Sequence, residues 1–146
     1  MSYTLKYLID TILIKKLLKS GKQTKSNYIL SNLDILTKKN NLFQKAILHL
    51  LVPVEFKSKK VGSITYNIPI LIHYLKSIHL AVSWIIKAAK IKSINKVPMY
   101  KSLYLESIEV LKNQGLAYSY KQQHIKKALI NRIFIYLIAF KKNKIK

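Results

Sequence analysis

Apolar residues recur at helical spacing from about Tyr74 to Lys92, and this stretch constrains the fold more than any other part of the chain. Successive apolar positions lie three or four residues apart, so they fall on one face of a helix. They are Leu75, Ile78, Val82, Ile85, Ile86 and Ala89. Another face of the same helix collects Lys76, Ser83, Lys87 and Lys90. The pattern predicts a long amphipathic helix whose apolar stripe packs into a core.

Five further helices are predicted from shorter apolar periods and from stop signals such as glycine and proline. Their approximate bounds are Thr4 to Lys19, Thr24 to Lys38, Asn41 to Leu51, Pro98 to Gly115 and Gln123 to Phe140. The core side of the last helix is expected to carry Leu129, Ile133, Tyr136, Leu137 and Phe140. No repeat and no low-complexity linker separates the helices, so residues 1–146 are predicted to form one mainly α domain.

A short segment with the sequence KSKKVGSITYNIP, Lys57 to Pro69, interrupts the helical pattern. The residues around it are β-branched and aromatic, and the pair Gly62 and Ser63 is a turn signal. These features predict a two-stranded hairpin at about 54–72. An isolated hairpin is marginally stable in water, so its base must rest on helices while its basic tip protrudes. The pattern alone also allows a hairpin that is merely solvated.

The tip of this hairpin is a candidate contact with nucleic acid. We hypothesise that Lys57, Lys59 and Lys60 form one cationic side of the finger, and that the tip around Gly62 extends beyond the globular body. Tyr66 shares a strand face with Ile64 and Ile68, so we expect it to pack at the base of the finger, with stacking on a nucleobase as the alternative.

The charge of the chain requires a polyanionic partner. Twenty-seven basic residues face five acidic ones, which gives a formal net charge of +22, and such an excess repels itself in the compact state. RNA, DNA and an anionic membrane surface are the three candidates. Only Arg132 is an arginine, and lysine is a point charge suited to phosphate rather than to bidentate base recognition. Two alternatives to an RNA-binding protein stay open, namely a lysine-rich peripheral membrane protein and a DNA-binding architectural protein.

No pattern in the sequence indicates catalysis. The chain has no cysteine, and Glu106 and Glu109 are interpreted as a solvated pair on one helix face. His73 and His79 have no second ligand at metal-binding spacing, so we expect them in the core or facing RNA. The apolar run Ile133 to Phe140 has eight residues, whereas a membrane span needs about 20. We therefore expect no enzyme activity, cofactor, metal, small-molecule substrate or membrane span.

Several segments resemble one known family. VEFKSKKVGSITYNIPI, residues 54–70, is similar to the hairpin motif V-E-V-[KR]-S-R-R-V-G-G-x-T-Y-Q-V-P-V of the small-subunit ribosomal protein seven family. LLKSGKQTKS, LAVSWIIKAAK and MYKSLYLESIEVLKNQG resemble the family's first interhelical turn and two of its helices. Departures are Lys59 and Lys60 in place of two arginines, Ser63 in place of a second glycine, and KKNKIK in place of an aromatic ending.

This resemblance implies a function in translation. The family binds the ribosomal RNA of the small-subunit head, supports head assembly and extends its hairpin toward the exit-site tRNA and the mRNA path. Its protein neighbours are other head and platform proteins. The implied fold is a single mainly α domain of about six helices with one protruding basic hairpin, in agreement with the periodicity.

The candidate RNA-binding residues are the basic side chains of the first interhelical turn, the hairpin, the long helix and the last helix. They are Lys15, Lys16, Lys19, Lys22, Lys25, Lys57, Lys59, Lys60, Lys76, Lys87, Lys90, Lys92, Lys121, Lys126, Lys127 and Arg132. Gly62 and Ser63 are the expected hairpin turn.

Codon bias suggests where the protein is made. Its 26 lysines and 22 isoleucines are residues with A/T-rich codons, and their excess is typical of an organellar genome, with A/T-rich bacteria and protist nuclei as alternatives. We expect no targeting segment before the first helix, which indicates synthesis inside the organelle or a sequence that is already the mature form. We expect a mitochondrial ribosome, with a plastid as the alternative.

Overall fold

Six α-helices and one antiparallel pair of strands make up the computed structural model, which describes residues 2–37, 41–94 and 97–136. In chain order the elements are α1 Ser2–Leu17, α2 Gln23–Thr37, α3 Leu42–His49, β1 Val54–Val61, β2 Ile64–Leu71, α4 Tyr74–Ser93, α5 Met99–Leu111 and α6 Leu116–Ile130. A 3₁₀ helix, Asn131–Ile135, follows α6. The predicted mainly α domain with six helices and one hairpin is confirmed.

The long helix α4 is the centre of the core, because it contacts α1, α3, α5 and α6. Its predicted stripe is buried except for Leu75, which lies in the first turn and is 45% exposed. Ala81, Ala88 and Ala89 are fully buried, and their small side chains let neighbouring helices approach closely. The facing helices contribute fully buried Ile9, Leu13, Ile47 and Leu103. Burial of each such large side chain stabilises the fold by about 1.5–3 kcal/mol.

The last helix differs from the prediction in its start and in its core side. It begins at Leu116, seven residues before the predicted Gln123, because the turn that ends at Gly115 leads directly into it. Ala117 is its buried residue, so α6 packs on the body at its first turn. Three residues that were expected on the core side of the predicted helix are exposed instead, namely Leu129, Ile133 and Tyr136. Leu137 and Phe140 lie outside the described residues.

The hairpin turn consists of two residues. The strands pair from Val54 opposite Leu71 to Val61 opposite Ile64, which leaves Gly62 and Ser63 as the loop. Gly62 has a φ of +61°, whereas Ser63 has no positive φ. This combination matches a type II′ turn, in which only the first central residue needs the left-handed region. Serine in place of a second glycine is therefore compatible with the turn.

Side chains of α4, α6 and the 3₁₀ helix fix the base of the hairpin. The Nε2 of His124 lies 2.8 Å from the carbonyl oxygen of Val54 and must carry the proton to donate a hydrogen bond. Its ring also packs against Phe56 at 4.8 Å and Trp84 at 5.2 Å between centroids. Tyr66 packs against Phe134 of the 3₁₀ helix at 4.9 Å between centroids, which confirms packing within the protein. Its position opposite Lys59 is nearer the tip than the expected base.

Candidate RNA-binding surface

A tight reversal of the chain brings the end of α1 close to the start of α2. Ser20 and Gly21 have φ values of 51° and 70° and turn the chain within a few residues. The amide of Lys22 donates to the carbonyl of Lys19 at 3.1 Å, and the amide of Gln23 donates to that of Gly21 at 2.8 Å. The positive end of the α2 dipole therefore lies beside the lysines of this turn.

A hollow of about 470 Å³ lies between this turn and the last turns of α4. We call it the turn hollow, and its lining is Leu17, Lys19, Ser20, Lys22, Lys25, Ser26, Ile29, Lys90, Ser93 and Met99. Four predicted RNA-binding lysines, two from the turn, one from α2 and one from α4, thus meet around one concavity. Four positive charges around one hollow attract an anion, and binding an anion there reduces their mutual repulsion. The geometry suits a phosphate group.

A smaller hollow of about 250 Å³ adjoins the first and is lined by Lys16, Ser83, Ile86, Lys87 and Lys90. The Nζ of Lys16 donates to the Oγ of Ser83 at 2.7 Å, which ties α1 to α4. The Nζ of Lys87 lies 4.7 Å from the centroid of the Tyr120 ring. Lys90 lines both hollows and so joins them into one continuous surface.

We call this surface the basic face. It consists of Lys16, Lys19, Lys22, Lys25, Lys87 and Lys90. Lys15 is exposed in the last turn of α1 and is not part of either lining.

The three hairpin lysines do not share one side, contrary to the hypothesis from the sequence. Lys57 and Lys59 are two residues apart and lie opposite Ile68 and Tyr66, whereas Lys60 lies opposite Thr65 on the other face. The reason is the period of a strand, since adjacent residues point to opposite faces. The finger is therefore basic on both faces near its tip.

A third basic group lies at the C-terminal end of the described chain. Lys126, Lys127 and Arg132 are exposed on α6 and the 3₁₀ helix. The Nζ of Lys127 lies 5.2 Å from the centroid of the Phe56 ring, so this group borders the base of the hairpin.

Three predicted residues are engaged within the protein instead. Lys76 pairs with Glu55 of β1, and the Nζ of Lys121 donates to the carbonyl of His49. Burial lowers the pKa of Lys121 below 10.5. Lys92 lies 2.6 Å from Glu106 and 2.5 Å from Glu109. Burial lowers the pKa of Lys92, but its bonds to both carboxylates outweigh burial and raise that pKa above 10.5.

Glu106 is fully buried, so the interpretation of Glu106 and Glu109 as a solvated pair is wrong for Glu106. Its Oε1 accepts a hydrogen bond of 2.7 Å from the amide of Ala117, in the first turn of α6. Its Oε2 pairs with Lys92 of α4. One carboxylate of α5 thereby connects α4 with α6, and its role is structural.

Comparison with known proteins places the chain in a family. The family model described as ribosomal protein S7p/S5e matches residues 3–132. The chain belongs to the ribosomal protein S7 family. It is 30% identical over 128 residues to small ribosomal subunit protein uS7 of Stenotrophomonas maltophilia strain K279a, covering 83% of this chain and 80% of that protein. It is 30% identical over 130 residues to uS7c of Cyanidium caldarium, covering 85% and 82%. With uS7 of Nitratiruptor sp. the identity is 29% over 133 residues.

Some polar residues of the surface in this S7-family chain were not among the sequence predictions. Ser26 and Ser93 line the turn hollow, and Ser26 is 2% exposed. Ser93 lies three residues from Lys90, so helical spacing was the available signal for it, whereas Ser26 directly follows Lys25 and helical spacing gives no signal there. Serine is too common on helices for that spacing to single them out.

Within the part of the chain that the structure describes, no group of three acidic or histidine side chains is arranged to hold a metal ion. His73 caps the start of α4, where its Nδ1 accepts from the amide of Leu75 at 3.4 Å, and His79 is exposed. None of the described helices combines the length and apolar character that crossing a membrane requires.

Proposed function

We propose that this protein is a structural component of the small ribosomal subunit and binds small-subunit ribosomal RNA. The observation that carries the proposal is the basic face, on which six lysines from α1, α2, α4 and the turn converge in a member of the S7 family. Lysines of this kind neutralise phosphates and recognise the shape of folded RNA rather than its base sequence. No enzymatic activity belongs to this function.

The proposed RNA ligands are a subset of the basic residues predicted from the sequence. They are Lys15, Lys16, Lys19, Lys22, Lys25, Lys57, Lys59, Lys60, Lys87, Lys90, Lys126, Lys127 and Arg132. Lys76, Lys92 and Lys121 are left out because carboxylates or a carbonyl already engage them. An ammonium group held in this way gains less from a phosphate, since it must first give up its internal partner.

We further propose that the hairpin extends to the exit-site tRNA and the mRNA path, in the head of the subunit and beside head and platform proteins. The anchored base and the exposed tip support this, because Val61 and Ile64 beside the turn are 43% and 56% exposed. Residues 1–146 are proposed to act as one domain in this assembly.

The proposed compartment is the mitochondrion, with the gene in the organelle. The excess of lysine and isoleucine supports an A/T-rich genome. A plastid is the alternative compartment, and the similarity to uS7c of Cyanidium caldarium supports that alternative.

Sedimentation of the endogenous protein tests the proposal. Lysates of purified mitochondria, and of plastids where the cell has them, are separated on sucrose gradients at moderate salt. The protein is expected in the small-subunit fractions of the mitochondrial gradient. Recovery with membranes after ribosomes have been stripped off would contradict the ribosomal function, whereas recovery in plastid subunits would contradict only the compartment.

A further inference from the structure

The outer side of the α1–α2 pair differs from the rest of this basic chain. No lysine or arginine occurs from Tyr7 to Ile14 or from Ser26 to Thr37, although 27 basic residues are spread over 146 positions. Both stretches carry one aspartate, Asp10 and Asp34 respectively, so two of the five acidic residues meet here. A polyanion such as RNA would find repulsion instead of attraction on this side.

Large apolar and aromatic side chains are exposed on the same side. Tyr7 is 76% exposed, Tyr28 63% and Ile35 72%. Exposed groups of this size mark interaction surfaces, and tyrosine in particular is enriched at protein–protein interfaces. We call this surface the α1–α2 face and define it by Tyr7, Asp10, Tyr28, Asp34 and Ile35.

A concave feature adjoins the face at the start of α2. A hollow of about 470 Å³ is lined by Thr24, Lys25, Tyr28, Ile29, Pro98, Met99 and Tyr100. Lys25, Ile29 and Met99 also line the turn hollow, so this hollow borders the basic face. The rest of its lining is mostly apolar and suits an apolar side chain of a partner. Tyr28 at its rim and Asp34 are six residues apart on α2, or roughly 9 Å along the helix axis.

The carboxylate of Asp10 is half-buried without a bonded cation. Among the described residues it forms neither an ion pair nor a hydrogen bond, while Lys6 pairs with Asp34 at 3.3 Å. Burial and the nearby Asp34 carboxylate raise the pKa of Asp10 to about 6, although Lys6 counteracts them. A buried carboxylate without a partner is costly, and a cation from another molecule would remove that cost.

We propose that the α1–α2 face is a docking surface for a neighbouring ribosomal protein, which places a lysine or arginine against Asp10 and apolar side chains on Tyr28 and Ile35. The inference rests on the proposed ribosomal function. It divides the molecule into a basic face that contacts RNA and an acidic and apolar face that contacts protein. Charge complementarity selects the partner, because Lys6 is already paired with Asp34 while Asp10 beside them has no bonded cation and favours a basic segment.

Site-directed crosslinking in assembled small subunits tests this division. The chain has no cysteine, so a single introduced thiol is a unique attachment point for a benzophenone probe. Ile35→Cys places the probe on the α1–α2 face, and Lys22→Cys places it on the basic face. Both positions are exposed and tolerate the change. From position 35 we expect a protein crosslink whose peptide contains lysine or arginine, and from position 22 a crosslink to ribosomal RNA.

Charge reversal at Asp10 then tests the role of the carboxylate in the α1–α2 face. Asp10→Lys should reduce the protein crosslink from position 35 by about tenfold or more, because like charges would face each other. Asp10→Asn, which keeps the shape, should reduce it less, and neither change should affect the crosslink from position 22.

The outcomes separate this inference from the ribosomal function. Absence of the cysteine-free parent protein from small subunits would refute the proposed function itself. RNA crosslinking at position 22 combined with RNA crosslinking, or none, at position 35 would overturn the docking surface alone. A protein crosslink at position 35 that Asp10→Lys leaves unchanged would overturn the role of the carboxylates.

Discussion

Individual charged residues in this chain have different roles according to their partners. Lys92 and Lys90 lie two positions apart on α4, but Lys90 opens into both hollows whereas Lys92 holds the buried Glu106. The same residue type thus belongs to the proposed RNA surface at one position and stabilises the core at the other. The acidic partner decides which role applies, and only five acidic residues are available.

Replacing Lys92 by methionine should destabilise the fold by about 3 kcal/mol, because it leaves the Glu106 carboxylate buried without its cation. Lys101→Met, at an exposed position of α5, is the matched control and should leave the free energy of unfolding unchanged. Urea denaturation at moderate salt measures both. Equal free energies for the two variants would show that Glu106 does not depend on Lys92.

Asp10 should make stability depend on pH with the sign opposite to that of an ion-paired aspartate. Its folded pKa of about 6 lies above the ordinary 3.8, so its contribution is fully present below pH 3.8 and is lost as the pH rises through 6. Asp10→Asn should therefore stabilise the protein at pH 7 by about 1–2 kcal/mol, after discounting for partial solvation. The difference should vanish near pH 3, and a constant difference across this range would contradict the assignment.

At the scale of elements, several junctions between elements are fixed by a single polar side chain or by a glycine. His124 joins α6 to the hairpin, and Ser77 joins α4 to the segment before β1 through two bonds to Val52 of 2.8 and 3.0 Å. Gly115 lies at the junction of α5 and α6 with a φ of +89°. A Cβ atom there would lie 2.9 Å from carboxylate oxygens of both Glu106 and Glu109.

Two glycine variants separate backbone strain from packing. Gly62→Ala meets no atom within 4 Å and has a φ of +61°, so it should cost only the left-handed strain of about 1–2 kcal/mol. Gly115→Ala adds displacement of the two carboxylates and should cost about 2–4 kcal/mol. Denaturant titration of both variants compares the costs. An equal loss would mean that the carboxylates move aside freely.

For the molecule as a whole, the sequence predicted the periodic features and missed those that depend on distant partners. The stripe of α4, the two-residue turn and the packing of Tyr66 follow from local spacing and were predicted. The burial of Glu106 was not, because it depends on Lys92 and on the start of α6. The core side of the last helix was wrong at Leu129 for the same kind of reason, since the side of α6 that packs is set by contacts of Ala117 and His124 with distant segments.

The basic face could be predicted only as a set of residues. Spacing indicated which lysines share a helix, and the hollow between the turn and α4 requires the tertiary fold. The acidic character of the α1–α2 face is visible in the sequence as two lysine-free stretches, but its exposure is not.

The net charge of +22 should make the isolated protein sensitive to salt. Mutual repulsion destabilises the compact state, and salt screens it over a distance of about 10 Å at 0.1 M. The melting temperature is therefore expected to rise between dilute buffer and moderate salt, and to rise further with small-subunit ribosomal RNA. A melting temperature that stays constant in added salt would contradict this explanation.

The salt dependence of RNA binding tests the central claim most directly. Affinity for a small-subunit head RNA is measured as a function of salt concentration for the parent protein and three triple variants. The first variant, Lys19/Lys22/Lys25→Ala, changes the basic face, and the second, Lys57/Lys59/Lys60→Ala, changes the hairpin. The third, Lys45/Lys101/Lys112→Ala, changes exposed positions elsewhere. If each lysine of the first two sets neutralises one phosphate, the slope of log affinity falls by about 2–3 in each. The third set removes the same charge and should leave the slope unchanged. Equal slopes for all three variants would contradict a defined RNA-binding surface.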